Sequence, residues 1–214
     1  MERKISVSLY ILAFVITIII FAIGFYAGGV FTEMNLQGIS SDIESVSKRA
    51  SSAELLFLLE DSSSFCPVYL DELETIDYET EQLGNQLLFM EDIKGVSDNE
   101  LKKEYFALET KSYLLSKRVK EKCDTDYILV LYFYSNIDCE DCGAQGSALT
   151  SAKEKLAEKN INLRVYSFDG DIESPVADAW IDKYNIRNYP SVVINETVYS
   201  GFFSEEEIMD NINK

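Results

Sequence analysis

The chain contains no histidine. That absence removes Ser-His and Cys-His nucleophile pairs, imidazole metal ligands and the C-x-x-C-H haem attachment together. Basic residues are scarce: 19 Lys and Arg stand against 37 Asp and Glu, a formal net charge of -18 over 214 residues. Such a surface repels phosphate backbones and excludes DNA or RNA as a partner. Cysteine is limited to Cys66, Cys123, Cys139 and Cys142. Only one Cys-x-x-Cys pair is present, whereas a four-cysteine zinc site is marked by two, so no metal is expected.

Charge is also absent from Ile5 to Phe31, where only Ser6, Ser8, Thr17 and three glycines relieve the apolar run. A bilayer span needs about 20 apolar residues, so this segment is long enough to cross with some tilt. A cleaved signal peptide is the competing reading, but its apolar region is about 7–15 residues. Length favours an uncleaved anchor. Arg3 and Lys4 precede the segment and no basic residue follows until Lys48. The positive-inside rule then leaves the N-terminus in the cytoplasm and residues from Thr32 onward outside, where disulfides persist.

Residues 38–122 carry a helical pattern. Ser41 with Glu44, and Ser97 with Glu100, have the spacing of capping boxes. Apolar positions recur three and four apart along Ile39–Phe57, Tyr69–Met90 and Leu101–Val119, with Pro67 tolerated in a first helical turn. Three such helices with short connections predict an antiparallel bundle, read as a spacer above the membrane. A dimerisation or partner-docking surface is the sharper alternative. In an antiparallel hairpin of the second and third helices, Cys66 and Cys123 meet at the same end. We expect them to form a structural disulfide, worth about 4 kcal/mol in the chain-entropy model.

The remaining cysteines lie at a junction. Ile128 to Tyr134 is an unbroken apolar run suited to a buried strand, and Ala148, Leu149, Ala152 and Leu156 follow at helical spacing. Cys139 and Cys142 thus fall where a strand ends and a helix begins. Free N–H groups and partial positive charge at such a point stabilise a thiolate. Beyond it the elements alternate: a strand at 162–168, a helix opened by Ser174-Pro175, a strand at 191–194, a turn at Asn195-Glu196, a strand at 197–200, and a helix capped by Ser204 with Glu207. This β-α-β-α-β-β-α order predicts an α/β domain with a mixed sheet closed by a hairpin. The domains expected are an anchor at 1–31, a helical segment at 32–123 and the α/β domain at 124–214.

From Tyr127 to Asn213 the chain resembles the thioredoxin-like family. The resemblance rests on the strand running into Cys-Glu-Asp-Cys, on D-K-Y-N-I-R-N-Y-P-S-V-V-I at 182–194, and on the closing hairpin with Gly201. It implies a thioredoxin-like fold and a cis peptide at Tyr189-Pro190 beside Cys139. It also implies that Tyr189 and Pro190 offer backbone groups to a substrate peptide. There are departures. The aromatic residue before the first cysteine is Asp138, and Glu140 and Asp141 replace the Gly-Pro between the pair. Tyr132 or Phe133 falls where the family carries a buried acid, so that proton relay does not carry over.

The expected chemistry is thiol-disulfide exchange. Cys139 attacks a substrate disulfide and Cys142 resolves the mixed disulfide. The acids beside the pair raise the thiol pKa against the helix field and favour a reductase or isomerase over a strong oxidant. Substrates are protein disulfides or dithiols, and no cofactor is required. Since residues 5–31 contain no cysteine, a separate membrane redox partner or small-molecule thiol must reset the pair. The alternative is a non-catalytic thioredoxin-like adaptor. Asn195-Glu196-Thr197 is a glycosylation sequon at an exposed turn, expected to be modified in a host that glycosylates exported proteins.

Overall fold

A computed structural model describes residues 7–59 and 63–212, divided into two units between Ser41 and Asp42. Arg3, Lys4, Ile5, Ser6, Ser62 and Asn213, on which parts of the sequence reading rest, lie outside the described residues. The first unit is the leading part of helix α1 (Val7–Leu59). Leu9, Phe14, Ile20, Phe25 and Phe31 are all more than half exposed. This helix is long and apolar enough to cross a membrane, with a mean hydropathy of 2.6 in its apolar stretch.

No proline occurs before Pro67, and nothing else in the sequence stops the helix. The chain therefore runs helical through Ser41, and the capping box expected with Glu44 does not form. The second expected box is displaced by one residue. Asp98, not Ser97, caps helix α3 (Asn99–Cys123), accepting from the Glu100 and Leu101 N–H groups, while Ser97 Oγ donates to Glu91. An Asp carboxylate is at least as good a cap as a Ser hydroxyl and adds favourable charge at the helix start.

In the second unit, the end of α1 packs with helix α2 (Cys66–Asp92) and α3. Arg49 lies beside Glu72 and Glu79, and the Phe57 ring centroid is 5.0 Å from that of Tyr69. Lys111 donates to Ser47 and Ser51, and Arg118 pairs with Glu54. So α1 runs antiparallel to α2 and parallel to α3. These surface pairs fix direction more than stability. The binding energy comes from a buried seam: Ile43, Val46, Ala50 and Ala53 of α1, Leu73, Ile76 and Leu83 of α2, and Leu101, Leu108 and Val119 of α3. A disulfide joins Cys66 to Cys123 at the start of α2 and the end of α3, with Cα atoms 5.6 Å apart.

Four strands follow: β1 (Ile128–Tyr134), β2 (Leu163–Asp169), β3 (Ser191–Ile194) and β4 (Thr197–Ser200). The sheet order is β2-β1-β3-β4, with β1 parallel to β2 and both other pairings antiparallel. Asn195 and Glu196 turn the β3–β4 hairpin at φ 50 and 66, the left-handed geometry that two-residue hairpin turns demand. Glu196 accepts there from Lys117 and Tyr184, tying the hairpin to α3 and to helix α5 (Pro175–Tyr184). On one face, Val130, Tyr132, Val192 and Ile194 pack with Leu149, Ala152 and Leu156 of helix α4 (Cys142–Ala157) and with Ile208 of helix α6 (Glu205–Ile212).

The other face corrects the spacer reading. Phe106 of α3 lies against Phe168, and Tyr113 of α3 meets Tyr166 and Trp180 edge-on at 5.5 and 5.1 Å. Helix α3 is a cover of the sheet, and residues 42–214 form one compact unit. The helical segment expected to end at 123 and the α/β domain expected to start at 124 therefore share a packed face. Aromatic side chains on α3 do not distinguish an isolated bundle from one packed on a sheet, which is why periodicity alone missed it.

Polar groups are buried in this layer, and several are paired, though Ser112 Oγ and Arg164 Nε find no hydrogen-bond partner. Arg164 forms an ion pair with Asp77, donates to Ser116, and stacks 3.9 Å from the Tyr127 ring centroid. Glu109, 4% exposed, accepts from the Tyr105 hydroxyl at 2.5 Å. Burial pushes its carboxyl from 4.5 up to about 8, against the opposing Tyr105 hydrogen bond. A carboxyl protonated more readily when folded makes the folded state bind more protons than the unfolded state between those values. Stability from this group is therefore complete below about pH 4.5 and is lost as pH rises through about 8. Comparing Glu109→Gln with the parent by denaturant unfolding across this range should show the parent losing stability relative to the variant as pH rises, by up to roughly 1.4 kcal/mol per pH unit. A difference that does not change with pH would contradict the buried, neutral assignment.

Candidate functional site

The parallel β1–β2 register brings Tyr134 level with Asp169. The segment leaving β1, residues 135–141, therefore emerges beside the turn at 169–171. Asp171 accepts from Ser135 Oγ at 2.8 and 3.0 Å, from the Asn136 N–H at 2.7 Å and from the Ile137 N–H at 3.0 Å. Ser135 Oγ in turn accepts from the Ile137 and Asp138 N–H groups. Asp169 accepts from Asn136 Nδ2 and from Lys102 Nζ, both at 2.9 Å, and Lys102 also pairs with Glu91. The loop is thus fixed by carboxylates from the neighbouring strand end, and a buried lysine from α3 balances their charge.

Cys139 and Cys142 are joined as a disulfide at the end of this loop. The helix begins at Cys142, so Cys139 sits in the turn ahead of it. The two sulfurs are inequivalent. Cys142 is 7% exposed and its Sγ accepts from the Ser135 N–H at 3.5 Å, whereas Cys139 is partly exposed. Tyr132 donates to the Cys142 carbonyl at 2.6 Å, and burial pushes its hydroxyl pKa up, so it stays protonated as a hydrogen-bond anchor. Phe133 faces away and stacks on Phe168. Asp141, at the N-cap position, makes no side-chain cap hydrogen bond, so the helix end lacks the carboxylate that commonly fills it.

Tyr189-Pro190 is a cis peptide. Phe133 pairs with Ser191, which places Pro190 opposite Tyr134 at the same end of the sheet. The Tyr189 ring lies close over Gly170, where an added Cβ would fall 1.9 Å from its hydroxyl and force the ring to move. The Pro190 carbonyl accepts from the Gly201 N–H, and Gln145, one turn into α4, exchanges two hydrogen bonds with the Phe203 backbone. Cys139, Cys142, Tyr189 and Pro190 are therefore brought to one end of the sheet. Cys66 and Cys123 are not. Helix α3 contacts Asp169 from Lys102, near its start, and Arg164 from Ser116, near its end, so Cys123 lies at the opposite end of β2. Asn195 is exposed at its turn.

No family model and no curated protein matches this chain. Five solved chains do. One, described as the structure of a malarial protein, is 21% identical over 41% of this chain and 94% of its own, with a TM-score of 0.33. A likeness that distant carries no argument about this chain, and the reading rests on its own residues.

Ser135, Asn136, Asp169, Asp171 and Lys102 escaped the sequence reading. The strand-end Ser-Asn and the Asp-Gly-Asp turn are visible in sequence, and parallel pairing of their strands is enough to bring them together. Lys102 required knowing that α3 covers the sheet. Asp171→Ala removes the acceptor shared by three donors. It should cost about 1 kcal/mol, the scale of a partly exposed hydrogen-bonding group, and speed hydrogen exchange at the 136 and 137 amides. Unchanged exchange at those amides would show that the loop is fixed by something else.

Proposed function

We propose that this chain is a membrane-tethered, extracytoplasmic thiol-disulfide oxidoreductase of thioredoxin-like type. The observation that carries the reading is the inequivalence of the two sulfurs at the β1–α4 junction: Cys139 partly exposed, Cys142 buried against the Ser135 N–H. The sheet order and the approach of Tyr189-Pro190 to the same end support it.

In the reductive direction, the Cys139 thiolate attacks one sulfur of a substrate disulfide. A Cys139–substrate bond forms, the substrate S–S bond breaks, and one substrate thiolate leaves. Deprotonated Cys142 then attacks Cys139 Sγ, closing the internal disulfide and releasing the second substrate thiolate. Two electrons pass from the dithiol to the substrate, and solvent takes up and supplies the protons. The Pro190 carbonyl is occupied by Gly201, which leaves the Tyr189 peptide groups to align an incoming strand. Asp138, Glu140 and Asp141 disfavour a thiolate at Cys139 and set the couple toward reduction or isomerisation. A second reading, a non-catalytic adaptor, draws on those same acids.

Reset must come from outside the chain. Residues 5–31 hold no cysteine, and Cys66–Cys123 sits at the far end of β2. A membrane dithiol partner or a small-molecule thiol fills that role. Arg3 and Lys4 support a cytoplasmic N-terminus.

Trapping tests the reading directly. Cys142→Ser in membranes should accumulate mixed disulfides through Cys139, visible on non-reducing gels and lost with Cys139→Ser. If Cys142→Ser traps nothing while Cys139 remains open to alkylation, the adaptor reading prevails.

A further inference from the structure

The loop carrying Cys139 presents an apolar side chain to solvent. Ile137 is 82% exposed although its N–H is tied to both Asp171 and Ser135. A fixed backbone with an outward isoleucine two residues from a disulfide is unfavourable in isolation, because the apolar surface stays in water. Phe202 lies on the same end, 48% exposed, between Gly201, which is bonded to Pro190, and Phe203, which is bonded to Gln145 of α4. Two exposed apolar side chains on hydrogen-bonded segments thus lie at the end of the sheet that carries the disulfide.

The charge beside this patch is mostly negative, with one exposed cation, Arg187, two residues before Tyr189. Asp138, Glu140 and Asp141 are all exposed and make no ion pair among the described residues. Elsewhere on this unit Glu54, Glu81 and Glu205 are matched by Arg118, Lys153 and Lys155, while other exposed acids, among them Glu74, Asp92, Glu158 and Glu206, make no ion pair among the described residues. What sets the Cys139 face apart is that three such acids fall within four residues of sequence around the disulfide, a local field that draws cationic chains and repels acidic ones.

Taking the redox reading above as its basis, we propose that the Cys139 face selects cationic polypeptide segments in which the reactive cysteine is flanked by an apolar residue. The apolar side chain seats against Ile137 and Phe202, and flanking Lys or Arg residues meet Asp138, Glu140 and Asp141. The exchange step is the one given above, with the substrate disulfide as the oxidant of the Cys139–Cys142 dithiol.

The test uses the full chain in detergent with two synthetic peptides. Each has one intrachain disulfide and a leucine beside one cysteine; the pair differs only in flanking lysines or glutamates. The lysine peptide should be reduced with a kcat/KM about tenfold higher at low salt, as expected for steering by a few exposed charges. That ratio should shrink toward unity as salt reaches about 0.5 M. Replacing all three acids by their amides (D138N/E140Q/D141N) should collapse it at low salt. Ile137→Ser should lower kcat/KM on the lysine peptide by more than on 2-hydroxyethyl disulfide, which is neutral and has no leucine. Equal losses on both would overturn the role of Ile137, and equal rates on both peptides would overturn the charge selection while leaving the redox reading intact.

A binding arm separates the two claims. Serine-substituted versions of both peptides are titrated onto the oxidised chain. Tighter binding of the lysine version without turnover of any disulfide would keep the surface and remove the enzyme. Equal binding of both versions together with no turnover would overturn both.

Discussion

The parallel pairing of β1 with β2 is the constraint on which the site depends. It carries the ends of both strands to the same place, so the chain leaving Tyr134 meets the turn at Asp169–Asp171. Carbonyl and N–H groups at a strand end must find partners once the ladder stops. Here the N–H groups of Asn136 and Ile137 find the Asp171 carboxylate, and that of Ser135 finds the Cys142 sulfur. The same interactions that satisfy the backbone fix the approach to Cys139. Crossing through α4 returns the chain to β2 and puts the first helical residue, Cys142, beneath the loop.

The helical bundle takes part in this arrangement. Lys102 of α3, 6% exposed, bridges Glu91 of α2 and Asp169 of β2. Removing such a cation would leave buried carboxylates uncompensated, which costs far more than the pair contributes when intact. The covalent tie at Cys66–Cys123 lies at the other end of α3, so the helix is secured to its neighbours at both ends. One disulfide joins the ends of α2 and α3, and the other lies in a partly exposed turn at the opposite end of β2. Burial does not tell the pairs apart, since Cys66, Cys123 and Cys139 are all partly exposed; position does, one pair tying helix ends and the other lying at a strand–helix junction.

Much of this is legible in the residues. The apolar run at 128–134, Ser174-Pro175 and the Asn195-Glu196 turn mark the β-α-β-α-β-β-α elements to within a residue or two, because each carries both a periodicity and a local stop signal. The Ser204–Glu207 box forms as its spacing predicts. Ser41–Glu44 has the same spacing and caps nothing, since a capping pattern in the middle of an uninterrupted helical stretch has no terminus to satisfy. The packing of α3 on the sheet was hidden for a different reason. Phe106, Tyr113 and Ser116 lie off the seam that the heptad pattern picked out, and only their partners Phe168, Tyr166 and Arg164 give them meaning. The acid–amide network at the site needed the sheet register first and could be read from sequence only after it.

The central claim is that one disulfide is exchangeable and the other structural. Redox titration of the full chain in glutathione or dithiothreitol buffers, with alkylation and mass analysis of each cysteine, tests it most directly. The account predicts two separate transitions. Cys139–Cys142 should titrate between about -180 and -270 mV, and Cys66–Cys123 should stay oxidised to below about -300 mV. A Cys139–Cys142 midpoint near about -120 mV would contradict the assignment of a reducing-to-intermediate couple. Joint reduction of all four cysteines in a single transition would contradict the division of roles itself.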